Sequence, residues 1–232
     1  MRDNRAPAIH IVDDDADVRD SLTFLLRSVG LAVSVYSSAA EFVALYRDDR
    51  PGCLLFDVRM PDVSGIELHE RLVAEGVRLP VIFMTGFADV PMAVRALQSG
   101  AVEFIEKPFN RQELLERVQR VVAAEVARRE VDSRWADVGR RLSDLTSRER
   151  DVLELVLTGL QNKSIATRLD ITERTVELRR ASLLRKLEVH STVELVRLLT
   201  EFEIYSESRK SASGPGGEAT FPPTKSSDDP GT

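Results

Sequence analysis

Apolar residues in the first half of the chain fall into two alternating kinds of grouping: short unbroken runs and runs at helical spacing. Ile9-His10-Ile11-Val12 is a β-branched run that stops at Asp13-Asp14-Asp15. From Asp17, the apolar Val18, Leu22, Leu25, Leu26 and Val29 recur at helical spacing, and Gly30 ends them. Val33 to Tyr36 predicts a second strand, and Ser38 can cap a helix over 39–46. Cys53-Leu54-Leu55-Phe56 is an apolar run long enough for a strand buried on both faces. It ends at Asp57, with Pro61 shortly beyond. A third helix is predicted from Gly65 to about Ala74, a fourth strand over 80–84 before Thr85, and a fourth helix over 91–99 closed by Gly100. A fifth strand over 102–105 ends before Lys107-Pro108, and a fifth helix starts near Arg111. Strand–helix alternation five times over predicts a doubly wound parallel α/β sheet with helices on both faces.

The pattern then changes. Leu114, Leu115, Val118, Val121, Val122 and Val126 keep helical spacing, and charged residues take over through Arg141 without Gly or Pro before Gly139. This predicts a long helix or helical linker, read either as a solvated connector or as part of a dimer interface. Beyond Leu145 the groupings are short helices. Thr146-Ser147-Arg148-Glu149 has a capping-box layout ahead of an apolar stretch ending at Gly159. Helices follow over 162–169, from Thr172 or Glu173 through Leu187, and from Ser191 to about Phe202. Two short helices, a tight turn and a basic third helix predict an all-α four-helix domain with a DNA-binding helix-turn-helix. From 207 the chain is rich in Ser, Gly and Pro and is expected to be disordered. The predicted domains are 6–125, a helical linker 126–142, 143–206, and a tail 207–232.

Charge sharpens this division. The net charge of −6 over 232 residues does not by itself suggest nucleic acid. Yet Arg174, Arg179, Arg180, Arg185 and Lys186 crowd one segment with Glu177 as its single anion, so the two modules are expected to meet different partners. The single cysteine, Cys53, excludes an internal disulfide framework and suits a reducing compartment. No apolar leader or membrane-spanning stretch is evident, so the expected location is the cytoplasm.

The carboxyl ends of a parallel sheet lie on one edge, where ligands bind in open α/β folds. Asp13, Asp14, Asp57, Thr85 and Lys107 would therefore converge. Each alone says little: an Asp run is often a solvated loop, and an aspartate after a strand is often a helix cap. Their joint placement at the ends of strands one, three, four and five is what carries chemistry. Close carboxylates disfavour each other's charge and call for a cation. An oxygen-only donor set without His or thiolate suits Mg²⁺. A carboxylate can also attack phosphorus to give an aspartyl phosphate. Lys107 would be a second cation for the phosphoryl oxygens, aimed by its bond to Pro108, which can be cis. Thr85 offers a hydroxyl.

Ile11-Val12-Asp13-Asp14-Asp15, Leu55-Phe56-Asp57-Val58-Arg59-Met60-Pro61-Asp62-Val63-Ser64-Gly65, Met84-Thr85-Gly86 and Phe104-Ile105-Glu106-Lys107-Pro108-Phe109 resemble the flavodoxin-like receiver domain of two-component response regulators. Leu145 to Arg150, Asn162 to Ala166 and Arg174 to Glu177 resemble the LuxR/FixJ-type DNA-binding domain, and the whole is similar to the FixJ-like subgroup. The resemblance implies that Asp57 accepts phosphate from a sensor histidine kinase. It implies Mg²⁺ ligation by Asp14 and Asp57, with Asp13 assisting through water and the Arg59 carbonyl as a further ligand. Thr85 and Phe104 would be the switch pair, and Lys107 would pair with the phosphoryl group. The sequence departs from the subgroup at Phe87-Ala88, often His-Gly, and at Arg179, often His.

On the third helix of the second domain, Val176, Leu183 and Leu187 mark the inner side, and Arg180 falls in the same row. Glu177, Leu178, Ala181 and Arg185 are expected to face a DNA groove, with Ser182 on the same side. Lys163, Arg174, Thr175, Arg179 and Lys186 are assigned to phosphates. The implied protein is a transcription regulator, an activator rather than an enzyme, that dimerises on phosphorylation and works on promoter DNA with RNA polymerase. Two other readings stand beside it. One is an aspartate-nucleophile phosphatase, disfavoured because Arg59 rather than a carboxylate follows Asp57 by two. The other is a phosphate-independent DNA-binding protein.

Overall fold

The computed structural model describes residues 6–47, 50–86, 94–96 and 98–212. They divide into two compact units, with the boundary between Arg129 and Glu130.

In the first unit the strands are β1 (Ala8–Val12), β2 (Ala32–Tyr36), β3 (Gly52–Asp57), β4 (Val81–Thr85) and β5 (Glu103–Glu106). They form one sheet in the order β2-β1-β3-β4-β5, with every neighbouring pair parallel. The helices are α1 (Ala16–Arg27), α2 (Ala39–Leu45), α3 (Gly65–Ala74) and the first half of α4 (Arg111–Ser143). Successive side chains of a strand point to opposite faces, and β3 shows what that does here. Leu54 and Phe56 join the core under α2 and α3, with Phe42, Ile66, Leu68 and Leu72. Cys53 and Leu55 join the core under α1 and α4, with Leu22, Leu26, Leu114 and Val118. Both faces are dry, which is why β3 reads as an unbroken apolar run. Cys53 is one of these core groups, its thiol pushed up to about 12 by burial and by the nearby Glu125 charge. Residues 91–93 and 97 of the expected fourth helix over 91–99, and the Phe87-Ala88 departure, lie outside the described residues. Residues 94–96 are helical, and Ala96 is buried.

The second unit holds the rest of α4 with α5 (Ser147–Leu157), α6 (Asn162–Leu169), α7 (Glu173–Lys186) and α8 (Thr192–Ala212). Val152, Val156, Ile165, Val176, Leu183, Leu187 and Leu195 form its core. The capping box at Thr146 and Glu149 is present, and Thr172 caps α7 through the Thr175 amide at 3.1 Å. Asp170, at φ 52°, closes the turn between α6 and α7.

One expectation is corrected here. The chain does not leave regular structure at 207: α8 runs to Ala212, because Tyr205 and Arg209 bond back to Asp132. Composition alone made this stretch look like the start of the tail. Residues 213–232 lie outside the described set.

Candidate functional site

Asp57 ends β3 and Asp13 follows β1, its central neighbour, so the two carboxylates meet where the strand order reverses. Backbone bonds tie the loops of this edge together. The Val58 amide donates to the Met84 carbonyl at 2.8 Å, and the Lys107 amide donates to the Thr85 carbonyl at 2.7 Å. Gly65 closes the β3–α3 loop over the site, its amide on the Val58 carbonyl at 3.1 Å. A Cβ at Gly65 would lie 2.2 Å from the Asp57 carbonyl oxygen, so only glycine lets the chain pass this close. Sequence reasoning used Gly65 only as a helix start.

The three aspartates after β1 have three different surroundings. Asp13 is fully buried. Its Oδ2 accepts from the Lys107 Nζ at 2.7 Å, its Oδ1 accepts from the Asp15 amide at 3.0 Å, and its carbonyl accepts from Arg19 at 2.6 Å. Asp14 is exposed. Asp15 caps α1, accepting from the Asp17 and Val18 amides. Nothing in the sequence pattern pointed to Arg19.

The Lys107 Nζ also reaches the Asp57 Oδ1 at 3.3 Å, so one ammonium bridges two buried carboxylates. The Lys107–Pro108 bond is cis. The Asp57 carboxyl is held above its usual range, first by burial and then by the Asp13 and Asp14 charges, against the opposing pull of Lys107. For Lys107, burial works against the charged form, but hydrogen bonds and charge from Asp13 and Asp57 outweigh it and raise its pKa. One carboxylate oxygen each of Asp13, Asp14 and Asp57 lies within 4.8 Å of the others. That oxygen-only cluster fits a hard divalent cation. Arg59, two residues past Asp57, is exposed. Thr85 is fully buried at the end of β4, and Phe104, opposite Phe83 in register, is partly buried. The described structure therefore gathers Asp13, Asp14, Asp57 and Lys107 at one sheet edge, with Thr85 ending the neighbouring strand.

In the second unit, Arg174, Glu177, Leu178, Ala181 and Arg185 are all exposed along one face of α7, and Lys163 is exposed on α6. Leu178 is 57% exposed. Arg174 pairs with Glu177 at 3.1 Å. Thr175 and Arg179 are partly buried, with the Thr175 hydroxyl 2.8 Å from that of Thr172. Ser182 and Lys186, assigned to the DNA side from the sequence, also carry internal bonds. Ser182 donates to Glu149 Oε1 at 2.9 Å, and Lys186 bonds Glu149 Oε2 at 2.8 Å and the Asp144 carbonyl at 3.3 Å. Glu149 is a buried carboxylate, and it needs that cation. The Lys186 bond, with help from Thr146 and Ser182, lowers its pKa to about 2. Arg180 braces three helices, donating to Asn162 at 3.0 Å and to Thr192.

An acidic sheet edge bridged by a lysine, in one chain with a helix-turn-helix, defines a two-module regulator. Residues 9–119 match the response regulator receiver domain, and residues 143–199 match the bacterial regulatory proteins of the luxR family. Over 192 residues the chain is 46% identical to the transcriptional regulatory protein FixJ of Azorhizobium caulinodans, covering 82% of this chain and 90% of that one. It is 40% identical to the response regulator protein TodT of Pseudomonas putida, covering 84% and 86%. Among solved structures it is similar to response regulator StyR, with TM-score 0.80, 41% identity and coverage of 85% and 100%. Full-length FixJ from B. japonicum gives TM-score 0.53, 39% identity and coverage of 85% and 98%. The chain belongs to the two-component response regulators that join a receiver domain to a LuxR-type DNA-binding domain, and it is a transcriptional regulator.

Proposed function

We propose that this regulator is switched on by phosphorylation of Asp57 from a sensor histidine kinase, and that it then activates transcription as a homodimer on promoter DNA, with RNA polymerase as a further partner, in the cytoplasm. The observation that carries the reading is the Lys107 ammonium shared between buried Asp13 and Asp57. A partly buried lysine bridging two buried carboxylates at a sheet edge is poised to accept a third anion. Asp13, Asp14, Asp57 and the Arg59 carbonyl would hold Mg²⁺, which when bound would neutralise charge on phosphoryl oxygens. An Asp57 carboxylate oxygen attacks phosphorus, and the bond from phosphorus to the donor breaks. Lys107 exchanges its Asp57 contact for a phosphoryl oxygen. Thr85 donates its hydroxyl to another, and Phe104 fills the space Thr85 leaves. The new charge biases a bistable edge. Phosphate makes the protein a switch rather than an enzyme: one group is taken up and turnover is slow.

On DNA, Glu177, Leu178, Ala181 and Arg185 face bases, and Lys163, Arg174, Thr175 and Arg179 hold phosphates. The test is duplex binding with and without acetyl phosphate and Mg²⁺. Treated protein is expected to gain one phosphoryl group by intact mass and to bind more tightly. Asp57→Asn is expected to do neither. Unchanged promoter activation by Asp57→Asn in cells would overturn the reading.

A further inference from the structure

Helix α7 is anchored by a narrow apolar row. Within its length the buried residues are Val176 and Leu183, joined by buried Leu187 at its end. At 3.6 residues per turn these three share one side, roughly opposite the exposed face that carries Glu177, Leu178, Ala181 and Arg185. Apolar burial is non-directional, so a row this narrow resists rotation of the helix about its own axis only weakly.

Two polar ties flank the row. On one flank, Arg180 donates to Asn162 Oδ1 at 3.0 Å and to the Thr192 hydroxyl, the first residues of α6 and α8. On the other, Ser182 and Lys186 converge on the buried Glu149 of α5. The Ser182 hydroxyl donates to Oε1 at 2.9 Å, and the Lys186 ammonium donates to Oε2 at 2.8 Å. Glu149 is itself fixed, because its Oε2 also accepts from the Thr146 amide and hydroxyl, both at 2.9 Å. By helical geometry Arg180 stands about 40° to one side of the apolar row and Lys186 about 80° to the other. Hydrogen bonds weaken steeply off axis, so a turn of α7 in either sense strains one tie or the other.

We propose that Glu149 and Arg180 are positioning residues for base readout: acting on α7 from opposite flanks, they fix its rotation so that Glu177, Leu178, Ala181 and Arg185 meet base edges. Neither side chain touches DNA in this role. Base contacts are directional bonds and close apolar fits, whereas attraction of Lys163, Arg174 and Arg179 to phosphates follows mainly from charge. Loss of a tie therefore strikes recognition of sequence before it strikes binding as such. The proposal rests on the reading that this face of α7 meets bases.

The experiment uses the full chain with acetyl phosphate and Mg²⁺. It measures affinity for a duplex that the unmodified chain enriches from a random-sequence pool, and for a scrambled duplex of the same composition. Arg180→Met keeps an apolar stem and removes the guanidinium; Glu149→Gln removes a carboxylate charge. Each is expected to lower the ratio of enriched to scrambled affinity about tenfold, with binding to the scrambled duplex little changed. A simple loss of folded protein would weaken both duplexes alike and keep the ratio. A charge effect would drive the two variants apart, since one loses a cation and the other an anion. Either result overturns the proposal. Should these variants fail to fold by circular dichroism, two milder ones decide. Ser182→Ala removes one bond to Glu149, and Arg180→Lys has a single ammonium in place of the fork that spans Asn162 and Thr192. Each is expected to lower the ratio about threefold, and an unchanged ratio in both overturns the proposal. Leu178→Ala in the same assay tests the base-facing reading separately. A ratio lowered there but unchanged in the tie variants keeps that reading and overturns the positioning role. The reverse pattern removes Leu178 from the bases and keeps the positioning role.

Discussion

Three adjacent aspartates after β1 do three things: Asp13 is buried on Lys107, Asp14 faces solvent at the edge of the acidic cluster, and Asp15 caps a helix. Identity does not separate them; position relative to the sheet edge does. Because burial and like charge hold the Asp57 carboxyl above its usual range, its ionised form opposes folding. Asp57→Asn is therefore expected to raise the urea midpoint of the protein in metal-free buffer at neutral pH. Glu149 is the opposite case. Its folded pKa of about 2 lies below the ordinary 4.5, so its contribution to stability is present above about pH 4.5 and is lost as pH falls toward 2. Glu149→Gln is expected to cost about 2 kcal/mol at neutral pH and to flatten that acid slope. Urea unfolding checks both, followed by far-UV circular dichroism for Asp57→Asn and by Trp135 fluorescence across this pH range for Glu149→Gln.

At the scale of elements, the β3–α3 loop and α7 make the strongest statements. Gly65→Ala must push the loop off the Asp57 carbonyl, and is expected to destabilise the receiver by more than about 1 kcal/mol and to slow acetyl phosphate uptake. Helix α7 presents a face that is unpacked yet carries Leu178 and Ala181. Such a face has no structural use, so Leu178→Ala is expected to leave the thermal midpoint unchanged while weakening sequence-specific DNA binding by about 1–3 kcal/mol. Lys163→Ala is expected to weaken binding to all duplexes alike and to flatten the salt dependence by about 0.9 in log–log slope. Titrations at several salt concentrations separate the two.

For the whole molecule, separate cores in the two units imply separate unfolding. Trp135 reports only the second unit, whereas far-UV circular dichroism reports both. The two guanidinium transitions are expected not to coincide; a single shared transition would mean that the cores are energetically one.

The period of the apolar residues determined much of this chain before any coordinates: five strands, the helices between them, and a basic third helix in the second module. That follows because burial on one or two faces leaves a spacing that can be read directly. It also determined that Asp13, Asp57, Thr85 and Lys107 would share an edge, since parallel strands end on one side. Tertiary structure decided what spacing does not encode. Ser182 and Lys186 share the basic helix with Arg185 but turn inward, because buried Glu149, 33 residues before Ser182, requires a cation and a donor. Arg19 and Gly65 acquired their roles only when the sheet edge closed around Asp57. The polar stretch after 206 looked like the start of a tail, yet it continues a helix to Ala212 because Trp135 and Asp132 cover it. Side-chain partners remote in sequence leave no period, and these were the features that folding alone revealed.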